Sequence, residues 1–389
     1  MKDRPYTIFI AAGEASGDAL GARLMSAMKA FDGREIEFHG IGGGLMEEQG
    51  VTSLFPMDEL SVMGLIEILP RIRHLLKRIS ETADYIRKLE PDAVITIDSP
   101  GFAHQLAKKL GGTSFSKIHY VAPSVWAWKP GRVHKFKKHF DHLLALLPIE
   151  PPYFEAVGLP CHFVGHSVLE SGADKGDGAG FRARQGLDEK APVLCLLPGS
   201  RRGEITRLMP EFSKTIEGLN KIIPDLQVVL PTLPARLSMI REMTAEWEKP
   251  PIIVEGAAEK FDAMAASNVA LAASGTVALE LTLAHVPTVI AYRLSPLTHF
   301  IVRRLVKVDY AHLLNILMKR EIVPERIQDD CQSAQLIADL RELLGEKGAE
   351  QTRALKPALE MLKAPEGNSP SKCAASVVFS ILDNHIEKM

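Results

Sequence analysis

VLCLLPGSRRGEI, residues 193–205, is a short apolar run that ends in Pro198-Gly199-Ser200-Arg201 and passes into a helix-compatible stretch. In an α/β protein that order reads as a buried strand, a tight turn and a helix whose first N–H groups face outward. Gly199 lets a backbone approach a ligand, and Ser200 is placed to cap the helix. A helix N-terminus attracts anions, and Arg201 adds a planar fork suited to phosphate. An ordinary βα turn with Arg201 in solvent explains the same letters.

SNVALAASGTVALELTLAHVPTVIAYR, residues 267–293, repeats the plan with Ser274-Gly275-Thr276 at its turn. Its helix holds one acid, Glu280, in apolar surroundings, where an unpaired carboxylate is costly. A ribose diol would give Glu280 partners; a salt bridge to a neighbouring Arg would do the same. Two small-residue βα turns in one half-chain favour a nucleotide diphosphate cradle beyond the carboxyl ends of the strands.

The 389 residues accommodate two domains of ordinary size. Apolar residues make up 46% and charged residues 24%, close to average soluble usage, and a net charge of −2 gives no general pull toward nucleic acid. Cys161, Cys195, Cys331 and Cys373 are scattered, which predicts reduced thiols in a cytoplasmic setting rather than a disulfide framework or a zinc site. The apolar run TIFIAA (7–12) is too short for a signal-peptide core and runs into Glu14, so no export signal is expected. Residues 268–292 are weakly charged, yet Glu280, the Ser-Gly-Thr turn and Pro287 break them into helix plus strand, so any membrane contact is expected to be peripheral.

Strand and helix patterns alternate throughout. The fold expected is α/β, with two doubly wound halves and a ligand cleft between them. Residues 1–169 form the first domain, with the option that a helix near 375–389 packs back on it. Residues 170–190, opening with the Gly-, Asp- and Ala-rich SGADKGDGAG (171–180), read as a linker, and residues 191–374 form the second domain.

The first half carries different chemistry. AAGEASGDALGARL (11–24) has glycines after its strand, but their spacing is wrong for GxGxxG, and Glu14 and Asp18 would oppose a pyrophosphate. Carboxylates there suit sugar hydroxyls; capping by Ser16 and Asp18 is the plain alternative. Asp98 ends AVITIDSPG, where it can serve as a general base toward a hydroxyl or as a helix N-cap before Pro100. In HYVAPSVWAWKPGRVHKFKKHFDH (119–142), Trp126 and Trp128 can stack on sugars or pack in a loop. The cations after them can meet phosphate or solvent. His139 and His142 lack a third ligand for zinc, and the chain contains no Asp-x-Asp pair to clamp a metal on a diphosphate, so no metal is expected.

AGEASGD (12–18), GIGG (40–43), ELSVMG (59–64), PSVWAW (123–128), LLPGSR with EI (196–205), ASGTVALE (273–280) and IVPE (322–325) together resemble the lipid-A-disaccharide synthase family, in order, over residues 7–375. The resemblance implies an inverting, metal-independent GT-B glycosyltransferase, with two Rossmann-like domains facing each other across a cleft and no cofactor. It implies the joining of UDP-2,3-diacylglucosamine to 2,3-diacylglucosamine 1-phosphate, giving a β-1,6 disaccharide 1-phosphate and UDP. Asp98 then becomes the base. Gly199, Ser200, Arg201, Glu204, Ser274, Gly275, Thr276, Glu280 and Asn315 become the UDP-sugar site. Glu14, Ser16, Asp18, Ser124, Trp126 and Trp128 become the acceptor site. The partners implied are the two lipid substrates and the anionic cytoplasmic face of the inner membrane, with homodimerisation left open. A UDP-sugar 2-epimerase-like enzyme and a non-catalytic peripheral lipid-binding protein are the alternatives.

Several motifs depart from the family. Asp98-Ser-Pro-Gly101-Phe-Ala103 stands where the family reads Asp-x-Pro-Asp-Phe-Asn. Gly44-Leu45 replaces Pro-Arg, Ser167 replaces the proline of Gly-His-Pro, and Tyr310-Ala-His312-Leu-Leu-Asn315 keeps only the ends of its motif. Donor features survive better than acceptor features. SVMGLIEILPRIRHLLKRI (61–79) gathers Leu65, Ile66, Ile68, Leu69, Ile72, Leu75, Leu76 and Ile79 on one helical side, flanked by Arg71, Arg73, Lys77 and Arg78. That predicts an interfacial helix against anionic lipid; a helix packed on its own sheet gives a similar pattern.

Overall fold

The computed structural model describes residues 4–31, 33–60, 65–295, 299 and 308–386. They form two compact units, one of Met1–Ser167 with Leu362–Met389 and one of Val168–Met361. In the first unit, β1 (Tyr6–Ala12), β2 (Ile36–Ile41), β3 (Ala93–Ile97), β4 (Ser116–Tyr120), β5 (His142–Ala145) and β6 (Cys161–Phe163) build a sheet of order β2-β1-β3-β4-β5-β6. In the second, β7 (Val193–Leu197), β8 (Gln227–Thr232), β9 (Ile252–Glu255), β10 (Val269–Ala273), β11 (Thr288–Tyr292) and β12 (Glu325–Ile327) build β12-β11-β10-β7-β8-β9. Every pairing in both sheets is parallel. Strands β3, β7 and β10 are buried along their whole length, as parallel strands covered on both faces must be.

Each sheet has one place where the winding reverses. The chain leaves β1 toward β2 and restarts with β3 on the other side of β1. It leaves β7 toward β8 and β9 and restarts with β10 on the other side of β7. Loops at the carboxyl ends of such neighbours diverge and open a crevice, the position at which α/β sheets bind ligands. The four loops concerned contain Gly13–Ser16, Asp98–Ser99, Gly199–Arg201 and Ser274–Thr276.

Residues 170–190 are not a linker. Helix Gly178–Gln185 forms there, with the Asp177 carboxylate accepting the Gly180 amide at 2.8 Å and Phe181 fully buried. Arg182 ties it to the Ala266 carbonyl (2.8 Å) and Asn268 (2.9 Å). Gly176 and Gly178 leave no room for a Cβ against the backbone of Phe261 and Ala265, so these glycines serve close helix packing rather than flexibility. The second unit also ends before the expected residue 374. From Leu362 the chain is back in the first, where helix Pro370–Ile386 packs on helix Ala15–Lys29. Phe379 stacks on Phe31 at 4.9 Å, and Arg34 reaches Asp383 at 2.8 Å.

Helix Leu65–Leu89 divides the apolar stripe seen in the sequence. Ile79, Ala83 and Ile86 are core residues, and Arg78 is held by Glu59 (2.6 and 2.9 Å) instead of facing outward. Ile72 and Leu76 stay 45% and 48% exposed beside exposed Arg73 and Lys77. Residues 61–64 of that stretch, and the side chains of 65–71, lie outside the described residues. Among the described residues, no helix is long and apolar enough to cross a membrane.

Candidate functional site

In the second unit the turn after β7 is shaped by one buried acid. Gly199 has φ +106°, and a Cβ there would meet Glu204 Oε2 at 2.6 Å, so only glycine fits. The expected cap, Ser200, is exposed and outside the helix. Arg201 is the N-cap of helix Arg202–Ile222, in extended conformation. Glu204 Oε2 accepts the Arg201 amide at 3.3 Å, while Oε1 accepts the Arg201 guanidinium at 3.1 Å and the Tyr292 hydroxyl at 3.1 Å. Glu204 therefore braces the turn from inside and has its oxygens occupied. The Arg201 side chain remains 58% exposed. Tyr292, at the carboxyl end of β11, had no signal in the sequence beyond ending an apolar run.

The turn after β10 is open. Gly275 has φ +147°, and Gly275 and Thr276 are exposed at the start of helix Thr276–Leu283. Glu280 has a protein partner: Lys260 donates to both its oxygens, at 2.8 and 2.9 Å. The partner is a lysine from helix Ala257–Ala265, not an arginine. Asn315 stands apart in function from the other candidates. It is fully buried, its Oδ1 accepts the Ile322 and Val323 amides (2.9 and 3.0 Å), and its Nδ2 donates to the Val323 carbonyl and to Glu325 (both 2.8 Å). Two donors and two acceptor sites exhaust an amide, so Asn315 fastens helix Leu313–Met318 to the IVPE segment and has nothing left for a sugar.

In the first unit, backbone strain marks the carboxyl edge of the sheet. Asp98 and Ser99 have φ of 50° and 43°, and Val121, just after β4, has φ 79°. Consecutive non-glycine residues in the left-handed region, and a β-branched one, cost of order 1–3 kcal/mol each and cluster at functional sites. Ser99, not Asp98, is the N-cap of helix Pro100–Lys109. The Asp98 carboxylate is half-buried, takes a hydrogen bond from the Ser99 amide, and is pushed above the usual carboxylate range by burial. A base with a raised pKa is better matched to proton abstraction near neutrality. Gly13 lies against the Ser99 side chain, which sets the Glu14 turn beside Asp98.

The remaining acceptor candidates separate by role. Glu14 is partly exposed and Ser16 exposed at the start of helix Ala15–Lys29. Asp18 is buried and accepts the amides of Gly43 (2.8 Å), Leu45 (3.1 Å) and Met46 (3.0 Å), so it holds the GIGG turn and caps the short helix Gly44–Glu48. Ser124 and Trp128 are exposed, and Trp126 is half-buried. The Trp126 indole donates at 3.3 Å to Glu150, a carboxylate 3% exposed that also accepts the Leu147 amide at 3.1 Å. Burial pushes Glu150 up to about 7. Nothing in LPIEPPYF (147–154) marks this acid as buried, since an acid before two prolines reads as an exposed helix start. His119, on β4, is enclosed with Nδ1 on Thr96 (2.8 Å), and burial lowers it to about 3. His139 packs edge-on against His104 (4.9 Å) while His142 lies beside His162 (3.3 Å), so the two metal-like histidines have separate surroundings.

Known proteins give a consistent comparison. A family model described as Lipid-A-disaccharide synthetase matches residues 8–378. The lipid-A-disaccharide synthase of Rhodospirillum centenum is 49% identical over 387 residues, covering 98% of this chain and 96% of its own. Among solved structures, UDP-GlcNAc 2-epimerase from Neisseria meningitidis bound to UDP-GlcNAc aligns with TM-score 0.63 at 11% identity, over 97% of this chain and 100% of that one. CalG4, the calicheamicin glycosyltransferase, aligns with TM-score 0.60 at 15% identity, over 98% and 99%. At such identities the structural likeness speaks for the fold, two parallel α/β units of GT-B type.

Proposed function

The chain belongs to the lipid-A-disaccharide synthetase family, and from that premise we propose how its residues divide the work. It is a glycosyltransferase of lipid A biosynthesis. UDP-2,3-diacylglucosamine is the donor and 2,3-diacylglucosamine 1-phosphate the acceptor. The Asp98 carboxylate takes the proton of the acceptor 6-hydroxyl as that oxygen bonds to the donor anomeric carbon. The bond from that carbon to the diphosphate oxygen breaks on the opposite side, UDP leaves, and a single displacement inverts the α-linked donor to a β-1,6 product.

The observation that carries this reading is the placement of Asp98: a half-buried carboxylate with a raised pKa at the winding reversal of the first sheet, in strained backbone. The second sheet supplies the leaving-group side, where the Gly199–Arg201 turn and Ser274-Gly275-Thr276 flank the reversal between β7 and β10. Preorganised N–H groups and Arg201 stabilise the charge that grows on UDP. Lys260 sets Glu280 for a ribose diol. Glu204 and Asn315 shape the site without touching substrate, and Asp18 does the same on the acceptor side, where Glu14, Ser16 and the Ser124–Trp128 loop contact the acceptor.

The exposed Ile72 and Leu76 beside Arg73 and Lys77 fit a reversible contact with anionic lipid on the cytoplasmic face of the inner membrane, from which diacylated substrates must be drawn. The test is direct. The protein is incubated with both lipid substrates, and mass spectrometry looks for disaccharide 1-phosphate with UDP release that requires the acceptor. UDP-sugar isomerisation without acceptor would overturn the reading in favour of an epimerase.

A further inference from the structure

Among the described residues, Arg132 is a cation without a counter-charge. It follows the Ser124–Trp128 loop and opens helix Arg132–Lys137, half-buried. Among the described residues it has no ion pair and no side-chain hydrogen bond. Its guanidinium lies 5.5 Å from the Trp128 ring and 5.9 Å from Phe136. Burial alone lowers its pKa, with no carboxylate contributing. Lys129, held at φ 50°, places its ammonium 4.7 Å from the same Trp128 ring, which is itself 38% exposed. From residue 127 to 140 the chain contains five lysines and arginines and no acid; the next acid, Asp141, is paired with Lys117 at 3.2 Å. The same field reaches His104, whose pKa falls through burial and through His139, Lys135, Lys108 and Arg132.

Partial burial of a guanidinium without an anion is unfavourable, and a strained lysine beside it adds repulsion. Both costs are relieved by one ligand type, a doubly charged oxyanion that accepts from the arginine fork while Lys129 supplies a second charge. The loop bearing this pair springs from β4, whose Tyr120 carbonyl accepts the Asp98 amide at 2.9 Å, so it belongs to the same sheet edge as the base. We infer that Arg132, with Lys129 and the Trp128 face, is a phosphomonoester site that receives the 1-phosphate of the acceptor sugar. This rests on the reaction proposed above and names the group that distinguishes its acceptor from a neutral sugar lipid.

A phospholipid headgroup offers similar chemistry, so the experiment separates the two sources. Short-chain diacylglucosamine, with and without its 1-phosphate, is presented in neutral detergent to wild type, Arg132→Gln and Arg132→Lys. Binding is followed by tryptophan fluorescence and turnover by disaccharide formation. Arg132→Gln should raise KM and Kd for the phosphorylated acceptor by about tenfold to a hundredfold, the range for a charge-assisted hydrogen bond. It should leave kcat, UDP affinity and the dephosphorylated acceptor unchanged, and Lys should restore part of the loss. Equal losses on both acceptors overturn the assignment. So does unchanged discrimination accompanied by weaker binding to phosphatidylcholine vesicles containing phosphatidylglycerol, which would make the site a headgroup contact. Arg132-dependent binding of the phosphorylated acceptor without any disaccharide would leave the site standing and sink the reaction.

Discussion

Replacing Asn315 by Ala tests whether a residue in a donor-site motif holds substrate or holds the protein. The side chain makes four hydrogen bonds at 2.8–3.0 Å from a fully buried position. Glu325 would lose little, because it keeps the Ala311 (2.6 Å) and His312 (2.9 Å) amides, and half-buried Ile322 can turn to water. Val323, 1% exposed, would have both its N–H and its C=O orphaned. Each buried unsatisfied group costs about 1–3 kcal/mol, so the loss should be about 4 kcal/mol. For a unit of about this size the melting temperature moves roughly 2–4 °C per kcal/mol, so a drop of about 10 °C is expected. Asn315→Asp should be no better, since it sets a carboxylate oxygen against the Val323 carbonyl and Glu325. Trp247 lies in the affected unit and donates to Ser213 at 3.0 Å, while Trp126 and Trp128 lie in the other, so a protein with Trp247 as its only tryptophan reports the right transition. Calorimetry below that transition should find UDP affinity unchanged. Wild-type melting with UDP binding lost would refute the structural role and return Asn315 to the nucleotide.

Asp98→Asn should lower turnover by about a hundredfold to ten-thousandfold with UDP affinity intact, as calorimetry can check; retained activity would make Asp98 a structural residue and place the base elsewhere. Arg201→Ala should cost about a hundredfold or more in kcat, with partial rescue by Lys; near-normal turnover would put the diphosphate elsewhere. Glu150 is raised from 4.5 to about 7, so its neutral form stabilises the fold fully below its unfolded pKa and that contribution, about 3 kcal/mol, is lost as pH rises through about 7. Urea unfolding of Glu150→Gln between about pH 5 and 8 should lack this slope, and a wild type without the slope would contradict the burial argument.

Local geometry was readable in the sequence because it is encoded locally. The apolar runs of β1, β3, β7 and β10, followed by small or acidic turn residues, located all four loops at the two winding reversals. Partnerships across the fold were not readable. Glu204 and Tyr292 lie 88 positions apart, and only the sheet order β11-β10-β7 brings their ends together. Gly176 and Gly178 look like linker residues until Phe261 and Ala265 are seen against them, and Ile79 looks like part of a lipid-facing stripe until the core claims it. Asn315 shows a sharper limit. Motif membership located an important side chain, yet its saturated hydrogen bonding assigns it to the scaffold.

The return of the chain to its first unit at Leu362 also governs how the protein is made. A ribosome delivers β1 to β6 early, but the Phe379 ring that packs on Phe31 and Tyr6 comes only after the whole of Val168–Met361 has been synthesised. Until then the face of helix Ala15–Lys29 that helix Pro370–Ile386 covers stays bare, an apolar surface open to chaperones or aggregation. The intervening unit has both its ends in hand and can complete its own sheet first. Nascent chains should therefore acquire protease resistance in the second unit before the first, although β1 to β6 of the first leave the ribosome ahead of it.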